Sequence, residues 1–255
     1  MPAGVSRAHV ETDVGSFAVL TAGPVGSDLP VVLLVPGWTG SKEDFVTLMP
    51  EIASSGRRVV ALDQRGQLDT PGPSSVEAYS LDGFARDLLA VAAAVSDEPV
   101  DLLGHSFGGL VATRATVLEP SAVSSLVLLC SGPGALPVDR HADLTMVIES
   151  LQEQGPELTW TAMRAREQAA GAPTVPVEIE QWLRERFLTS STAALVAKTR
   201  MLIETPDQRD ALGNVPTPTL VMAGSLDDGW PVEVQADFAA AVGAEQIVLD
   251  GLGHS

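Results

Sequence analysis

A serine, an acid and a histidine each follow a strand-like segment in this chain, in an order that suits acyl transfer. The run Val100 to Leu103 leads into Gly104-His105-Ser106-Phe107-Gly108-Gly109, and helical spacing follows. Thr219 to Ala223 leads into Gly224-Ser225-Leu226-Asp227-Asp228-Gly229-Trp230-Pro231, and Gln246 to Leu249 into Gly251-Leu252-Gly253-His254-Ser255. A serine hydroxyl is a weak nucleophile. It attacks a carbonyl when an imidazole takes its proton and a carboxylate holds the imidazole in the right tautomer. Gly-x-Ser-x-Gly alone is a weak signal, and the strand–turn–helix context gives it weight. A serine on so sharp a turn is flanked by glycines because strand and helix pass too close for a β-carbon. The helix start aims free N–H groups and partial positive charge at the same spot. Serine, acid, histidine is the order this turn requires; Asp227 and Asp228 are both placed to be the acid.

The elements that must position these groups alternate along the first half. His9 to Val14 and Ser16 to Thr21 read as strands around a Gly15 turn. Val31 to Val35 is a continuous apolar run, the pattern of a strand covered on both faces, and Arg58 to Leu62 reads as the next apolar strand. Ser125 to Cys130 is another. Between them Glu43 to Ser54, Tyr79 to Val95 and Phe107 to Leu118 read as helices, the second with Leu81, Phe84, Leu88, Leu89, Ala92 and Val95 at helical spacing. Residues 66–77, rich in Gly, Pro and Ser, read as a loop. This alternation predicts an α/β fold, a doubly wound, mostly parallel sheet with helices on both faces. From Pro133 to Val215 the strand pattern lapses. Asp143 to Gln154, Glu157 to Ala169, Val177 to Phe187 and Thr192 to Glu204 read as helices, a cap inserted after the sixth strand. Thr219 to Ala223, a helix Val232 to Val242 and Gln246 to Leu249 restore the pattern. The expected division is a core of residues 1–132 and 216–255 with a cap of residues 133–215.

Composition narrows the partners. With 33 acidic against 15 basic residues the formal net charge is −18 over 255 residues, which argues against nucleic acid and against anionic membrane surfaces. The one cysteine, Cys130, excludes an internal disulfide and a Cys-rich zinc site. No apolar run approaches a membrane span, and the N-terminus lacks the apolar core of a secretory signal. A cytoplasmic location is the expectation. No His/Asp/Glu cluster shows metal spacing, so neither metal nor cofactor is expected, and nothing sets an oligomeric state. His9 and His141 read as ordinary surface residues, and His105 as turn packing.

Taken jointly, Pro36-Gly37-Trp38, Asp63-Gln64-Arg65-Gly66, the Ser106 turn, Gly224 to Pro231 and Gly253-His254 resemble the α/β-hydrolase fold family over nearly the whole chain. The resemblance implies Ser106 as nucleophile, His254 as base and Asp227 as orienting acid, since the family's Gly-x-x-Asp-x-x-x-Pro spacing lands there; Asp228 is the close rival. It implies an oxyanion hole of the Trp38 and Phe107 amides. A serine at the turn sets the chain apart from the epoxide hydrolases and haloalkane dehalogenases of this fold, which use a carboxylate there. Asp63 to Gly66 is expected to shape its loop by an Arg–Asp pair. Two features depart from the family. Pro36 replaces the usual histidine before the glycine, so hydrogen bonding within that loop must differ. Family members also carry a final helix after the histidine, so residues are expected beyond Ser255; were the chain to end there, the terminal carboxylate would raise the His254 pKa.

In the cap, Met146, Trp160, Met163, Trp182, Phe187 and Met201 each suit packing onto the core. Together, with Trp38, they suggest a pocket for an apolar acyl or alcohol group. The expected activity is hydrolysis of carboxylic esters or related small acyl compounds through an acyl-enzyme. Lactonase, thioesterase, carbon–carbon bond hydrolase and cofactor-free perhydrolase chemistries share the same triad. The reading from another class is a small-ligand binding protein on a hydrolase scaffold, and an iminopeptidase-like activity rests on Asp-Gln-Arg-Gly alone.

Overall fold

The computed structural model describes residues 1–169, 171 and 174–254. The chain opens with a hairpin of β1 (Ser6–Thr12) and β2 (Gly15–Ala22). Six strands follow: β3 (Val32–Val35), β4 (Val59–Leu62), β5 (Val100–His105), β6 (Val123–Leu129), β7 (Thr219–Gly224) and β8 (Glu245–Leu249). They form one eight-stranded sheet in the order β1-β2-β4-β3-β5-β6-β7-β8. The pairs from β4 to β8 are parallel, and β2 joins β4 antiparallel.

Every residue of β3 and β4 is buried, and the two-residue period divides them between the faces. Leu33, Val35, Val60 and Leu62 join one core with Phe84, Leu88, Phe107 and Phe238; Val32, Leu34, Val59 and Ala61 join another with Phe45 and Met49. That two-sided cover is why these runs are apolar without alternation. The helices are α1 (Met49–Ser54), α2 (Leu81–Val95), α3 (Phe107–Leu118), α4 (His141–Glu153), α5 (Pro156–Ala169), α6 (Val177–Thr189), α7 (Thr192–Glu204), α8 (Arg209–Gly213) and α9 (Val232–Ala241). Helices α4 to α8 all lie between β6 and β7. No helix among the described residues is long and apolar enough to cross a membrane.

The expected helix 43–54 is divided. Lys42–Phe45 forms a 3₁₀ turn, and α1 starts at Met49 with Pro50 in its first turn. Proline lacks an N–H and its ring clashes with the carbonyl four residues back, so it cannot occupy a helix interior without kinking it. Helix α2 starts at Leu81 rather than Tyr79, because the Ser80 hydroxyl caps it by accepting from the Gly83 amide at 3.0 Å. Short α8 has too few residues to show helical periodicity in the sequence.

Strand order reverses at β3, with β4 on one side and β5 on the other. In open α/β sheets the carboxyl ends of the strands at such a point border a crevice. The Pro36-Gly37-Trp38 loop leaves β3 there and Ser106 leaves β5.

Candidate active site

Strand β5 ends at His105 and α3 begins at Phe107, which leaves Ser106 alone to reverse the chain. Its backbone has φ 54° and ψ −122°, a conformation that costs a non-glycine residue about 1–3 kcal/mol. Hydrogen bonds hold it on both sides: the Ser106 amide donates to the Leu129 carbonyl at 3.0 Å, and the Gly109 amide to the Ser106 carbonyl at 2.8 Å. The flanking glycines are steric necessities. A β-carbon on Gly104 would stand 2.5 Å from the Gly108 carbonyl oxygen, and one on Gly108 2.3 Å from that of Val35.

The Ser106 Oγ lies 2.9 Å from Nε2 of His254, and Nδ1 of His254 lies 2.7 Å from Oδ1 of Asp227. The loops after β5, β7 and β8 thus bring together hydroxyl, imidazole and carboxylate. Asp227 Oδ1 also accepts from the Gly229 amide at 2.8 Å, and Oδ2 from Gln235 Nε2 at 2.8 Å. Burial alone would push the Asp227 pKa up. The hydrogen bond and charge of His254, with those two amide donors, outweigh it and hold the carboxyl below the usual range. Asp228 faces solvent, its side chain 72% exposed and 3.9 Å from Arg140. Of the two aspartates, only Asp227 reaches the imidazole.

The loop after β3 comes against the serine: a β-carbon on Gly37 would be 3.3 Å from Ser106 Cβ. Its carbonyls are held from the loop after β4. Gln64 Nε2 donates to the Pro36 carbonyl at 2.8 Å and Gln67 Nε2 to the Gly37 carbonyl at 2.7 Å. The Trp38 and Phe107 amides have no acceptor among the described residues, so both N–H groups are available to a developing negative charge.

A sequence model of the alpha/beta hydrolase fold matches residues 30–177, more than half of the chain. The chain belongs to the α/β-hydrolase fold family. It is 31% identical over 208 residues to the pimeloyl-acyl-carrier-protein methyl ester esterase of Aeromonas hydrophila, covering 79% of each protein. It is 35% identical over 104 residues to RutD of Variovorax paradoxus, a match spanning 40% of this chain and only 38% of that protein. The crystal structure of a carboxylesterase from Nitrososphaera gargenis superposes with a TM-score of 0.82 at 19% identity, covering 97% of this chain and 91% of that one.

The expected pocket residues of this α/β hydrolase separate into two sets. Trp38, Trp160 and Met163 pack around one apolar cluster with Leu151, Phe187, Leu195 and Val196. Trp38 also donates from Nε1 to the Leu195 carbonyl at 3.3 Å, tying the loop after β3 to α7. Met146 does not join them; it is 50% exposed on α4. Nor does Trp182, whose ring is covered by the Arg186 guanidinium at 4.9 Å, with Arg186 paired to Asp44. Met201 packs against the main core instead. Sequence periodicity identifies an apolar helix face but does not say which neighbour it meets.

The expected Arg–Asp pair within residues 63–66 is replaced by two others. Asp63 accepts from the Lys42 amide at 2.8 Å and from Lys42 Nζ at 2.6 Å, while Arg65 pairs with Asp87 on α2. Both partners lie far along the chain, where spacing gives no sign of them. His105, expected only to pack the turn, lies with Nε2 2.9 Å from the His254 carbonyl oxygen. Gln64, Gln67 and Gln235 are further contributors that the sequence did not single out. His9 is exposed as expected, but His141 is half-buried with Nε2 2.8 Å from the Leu136 carbonyl.

Asp227, Asp228 and His254 offer ligand atoms within 4.8 Å of one another. The Asp227–His254 hydrogen bond occupies the atoms a metal would take, which favours proton handling over metal binding at this cluster. Burial pushes the Cys130 thiol up to about 11, so it does not compete as a nucleophile at neutral pH. Ser255 lies outside the described residues.

Proposed function

We propose that this α/β hydrolase cleaves carboxylic esters or related small acyl compounds through an acyl-enzyme. The observation that carries the reading is the unbroken hydrogen-bonded chain Ser106 Oγ, His254 Nε2 and Nδ1, Asp227 Oδ1, at 2.9 and 2.7 Å. In this reading Ser106 Oγ bonds to the carbonyl carbon while its proton passes to His254 Nε2. Asp227 stays ionised and stabilises the imidazolium. The Trp38 and Phe107 amides donate to the oxyanion. Collapse breaks the carbon–oxygen bond to the leaving alcohol, which takes the proton from His254. Water, deprotonated by the same imidazole, then releases the acid and restores Ser106.

The name of the Aeromonas relative, a methyl ester esterase, supports an ester as substrate. Residues 133–215 would act as a cap over the crevice, with Trp38, Trp160 and Met163 as the apolar wall nearest the acyl group. The test is turnover of p-nitrophenyl acetate and butyrate by the wild type and by Ser106→Ala. An initial burst of p-nitrophenol, absent in the variant, is the expected result. Equal rates in both proteins would overturn the reading.

A further inference from the structure

Two lysines of this chain are buried, and their surroundings differ. Lys42 is 1% exposed and surrounded by acids, with Nζ 2.6 Å from Asp63, 2.7 Å from Asp69 and 3.2 Å from Glu43. Burial opposes its charge, but those partners more than compensate and hold its pKa above the ordinary value. Lys198 on α7 is also 1% exposed, yet its Nζ has no hydrogen-bond partner among the described residues. The ring faces of Phe84 and Phe107 lie 5.1 and 5.6 Å from it. Ring faces attract a cation but accept no conventional hydrogen bond and supply no counter-charge. An ammonium left in such surroundings is strongly disfavoured, and the amine is driven well below the lysine range by burial.

A packing role alone does not account for this residue. The other buried residues of α7 are Ala194, Leu195, Val196, Ala197, Thr199 and Leu202; the Thr199 hydroxyl is satisfied by the Leu195 carbonyl at 2.7 Å, and an apolar side chain at 198 would pack there at no electrostatic cost. Its position bears on the chemistry. Phe107 is the residue after Ser106 and carries one of the two free amides, and Leu195, one turn before Lys198, receives the indole N–H of Trp38. Lys198 therefore faces the side chain of Phe107, the residue after Ser106, from the helix that also holds the indole of Trp38.

We propose that Lys198 is a specificity residue that receives a carboxylate at the far end of the acyl chain. The preferred substrates are then half-esters of short dicarboxylic acids, with an apolar stem between the two ends. The inference rests on the esterase reading above and narrows its substrate class. A carboxylate supplies the hydrogen-bond acceptor that Nζ lacks and a contact charge where that of Asp63, not bonded to it, only partly offsets burial, and the aromatic faces flank the stem.

The experiment compares p-nitrophenyl half-esters of succinate, glutarate and adipate with the matched butyrate, valerate and hexanoate esters. Wild type is expected to favour one half-ester over its neutral match by at least about tenfold in kcat/KM, the size of one charge-assisted hydrogen bond. Lys198→Met and Lys198→Gln should each lower that ratio by about the same factor. Thermal shift by free glutarate or adipate, seen in wild type and lost in Lys198→Met, reads binding without turnover. Lys198→Met should also melt higher than wild type in the absence of ligand. Turnover of neutral esters with no half-ester preference and no dicarboxylate shift would overturn the proposal and leave the esterase reading standing. A dicarboxylate shift without turnover of any ester would keep the Lys198 site and overturn the esterase reading.

Discussion

The His105 Nε2 lies 2.9 Å from the main-chain carbonyl oxygen of His254, so the residue before the serine also holds the histidine that faces it. The two rings stand 5.3 Å apart. Burial lowers the His105 pKa, so the ring is neutral at neutral pH and must carry its proton on Nε2 to donate to a carbonyl. A link across 149 residues fixes the height of the imidazole above the Ser106 turn.

Replacing His105 by Ala should lower kcat by about 10- to 100-fold with little change in KM, the cost of a slightly misplaced catalytic group. His105→Gln, which keeps a side-chain N–H donor, should recover part of the loss. A purely structural role would lower the active fraction and leave kcat per labelled site unchanged; active-site titration separates the two.

The same residue gives a pH dependence with a defined sign. Its folded pKa lies below the unfolded value near 6.5. Its contribution to stability is present above that value and is lost as pH falls through the folded pKa. Urea unfolding of wild type should weaken between pH 7 and 5 by more than that of His105→Gln. Parallel curves for the two proteins would contradict the assignment.

Asp227 and Asp228 are adjacent in sequence, but only Asp227 is hydrogen-bonded to His254, while Asp228 faces solvent. On the proposed function, Asp227→Asn leaves the shape of the site but favours the wrong imidazole tautomer, and kcat should fall by roughly 10⁴-fold. Asp228→Asn removes a solvated charge and should stay within about threefold of wild type. Steady-state kinetics on one ester decides between them. Because the Asp227 carboxyl is held below its ordinary range, its stabilising contribution is present above the unfolded pKa and lost as pH falls through the folded one. The stability difference between wild type and Asp227→Asn should therefore shrink below about pH 4.

Most of the fold and the chemical core of the site were legible because both rest on local pattern. The run at 31–35 is apolar because helices cover β3 on both faces, and glycines flank Ser106 because Val35 and Gly108 carbonyls crowd them. The choice of Asp227 over Asp228 came from the family's spacing, and the geometry agrees with it. Less legible were the residues whose part depends on partners far away in sequence. Nothing near Gln67 shows that it will hold the Gly37 carbonyl, and nothing near Gln235 shows that it will meet Asp227. Met146 and Trp182 stand outside the apolar cluster of Trp38, Trp160 and Met163, because an apolar residue on a helix carries no record of which element packs on it.

The Gln67 contact is itself testable. Gln67→Ala frees the Gly37 carbonyl and lets the oxyanion loop drift, so kcat should drop by roughly 10-fold or more while substrate binding persists. Unchanged kcat would show that the loop is held in place by Gln64 and Trp38 without it.

Gly108→Ala tests the steric account of the turn. The added carbon would meet the Val35 backbone at 2.3 Å, and backbone cannot yield as a side chain end can. A loss of about 3 kcal/mol of stability is expected by urea unfolding. A neutral effect would show that strand and helix stand farther apart than described.

The central claim is that His254 and Asp227 make the Ser106 hydroxyl a nucleophile. Intact-mass and peptide-mapping spectrometry after reaction with a fluorophosphonate measures this without knowledge of the substrate. The account predicts one adduct per chain, located on Ser106, absent in Ser106→Ala and strongly slowed in His254→Ala. A folded wild-type protein that forms no adduct, or forms it on another residue, would contradict it.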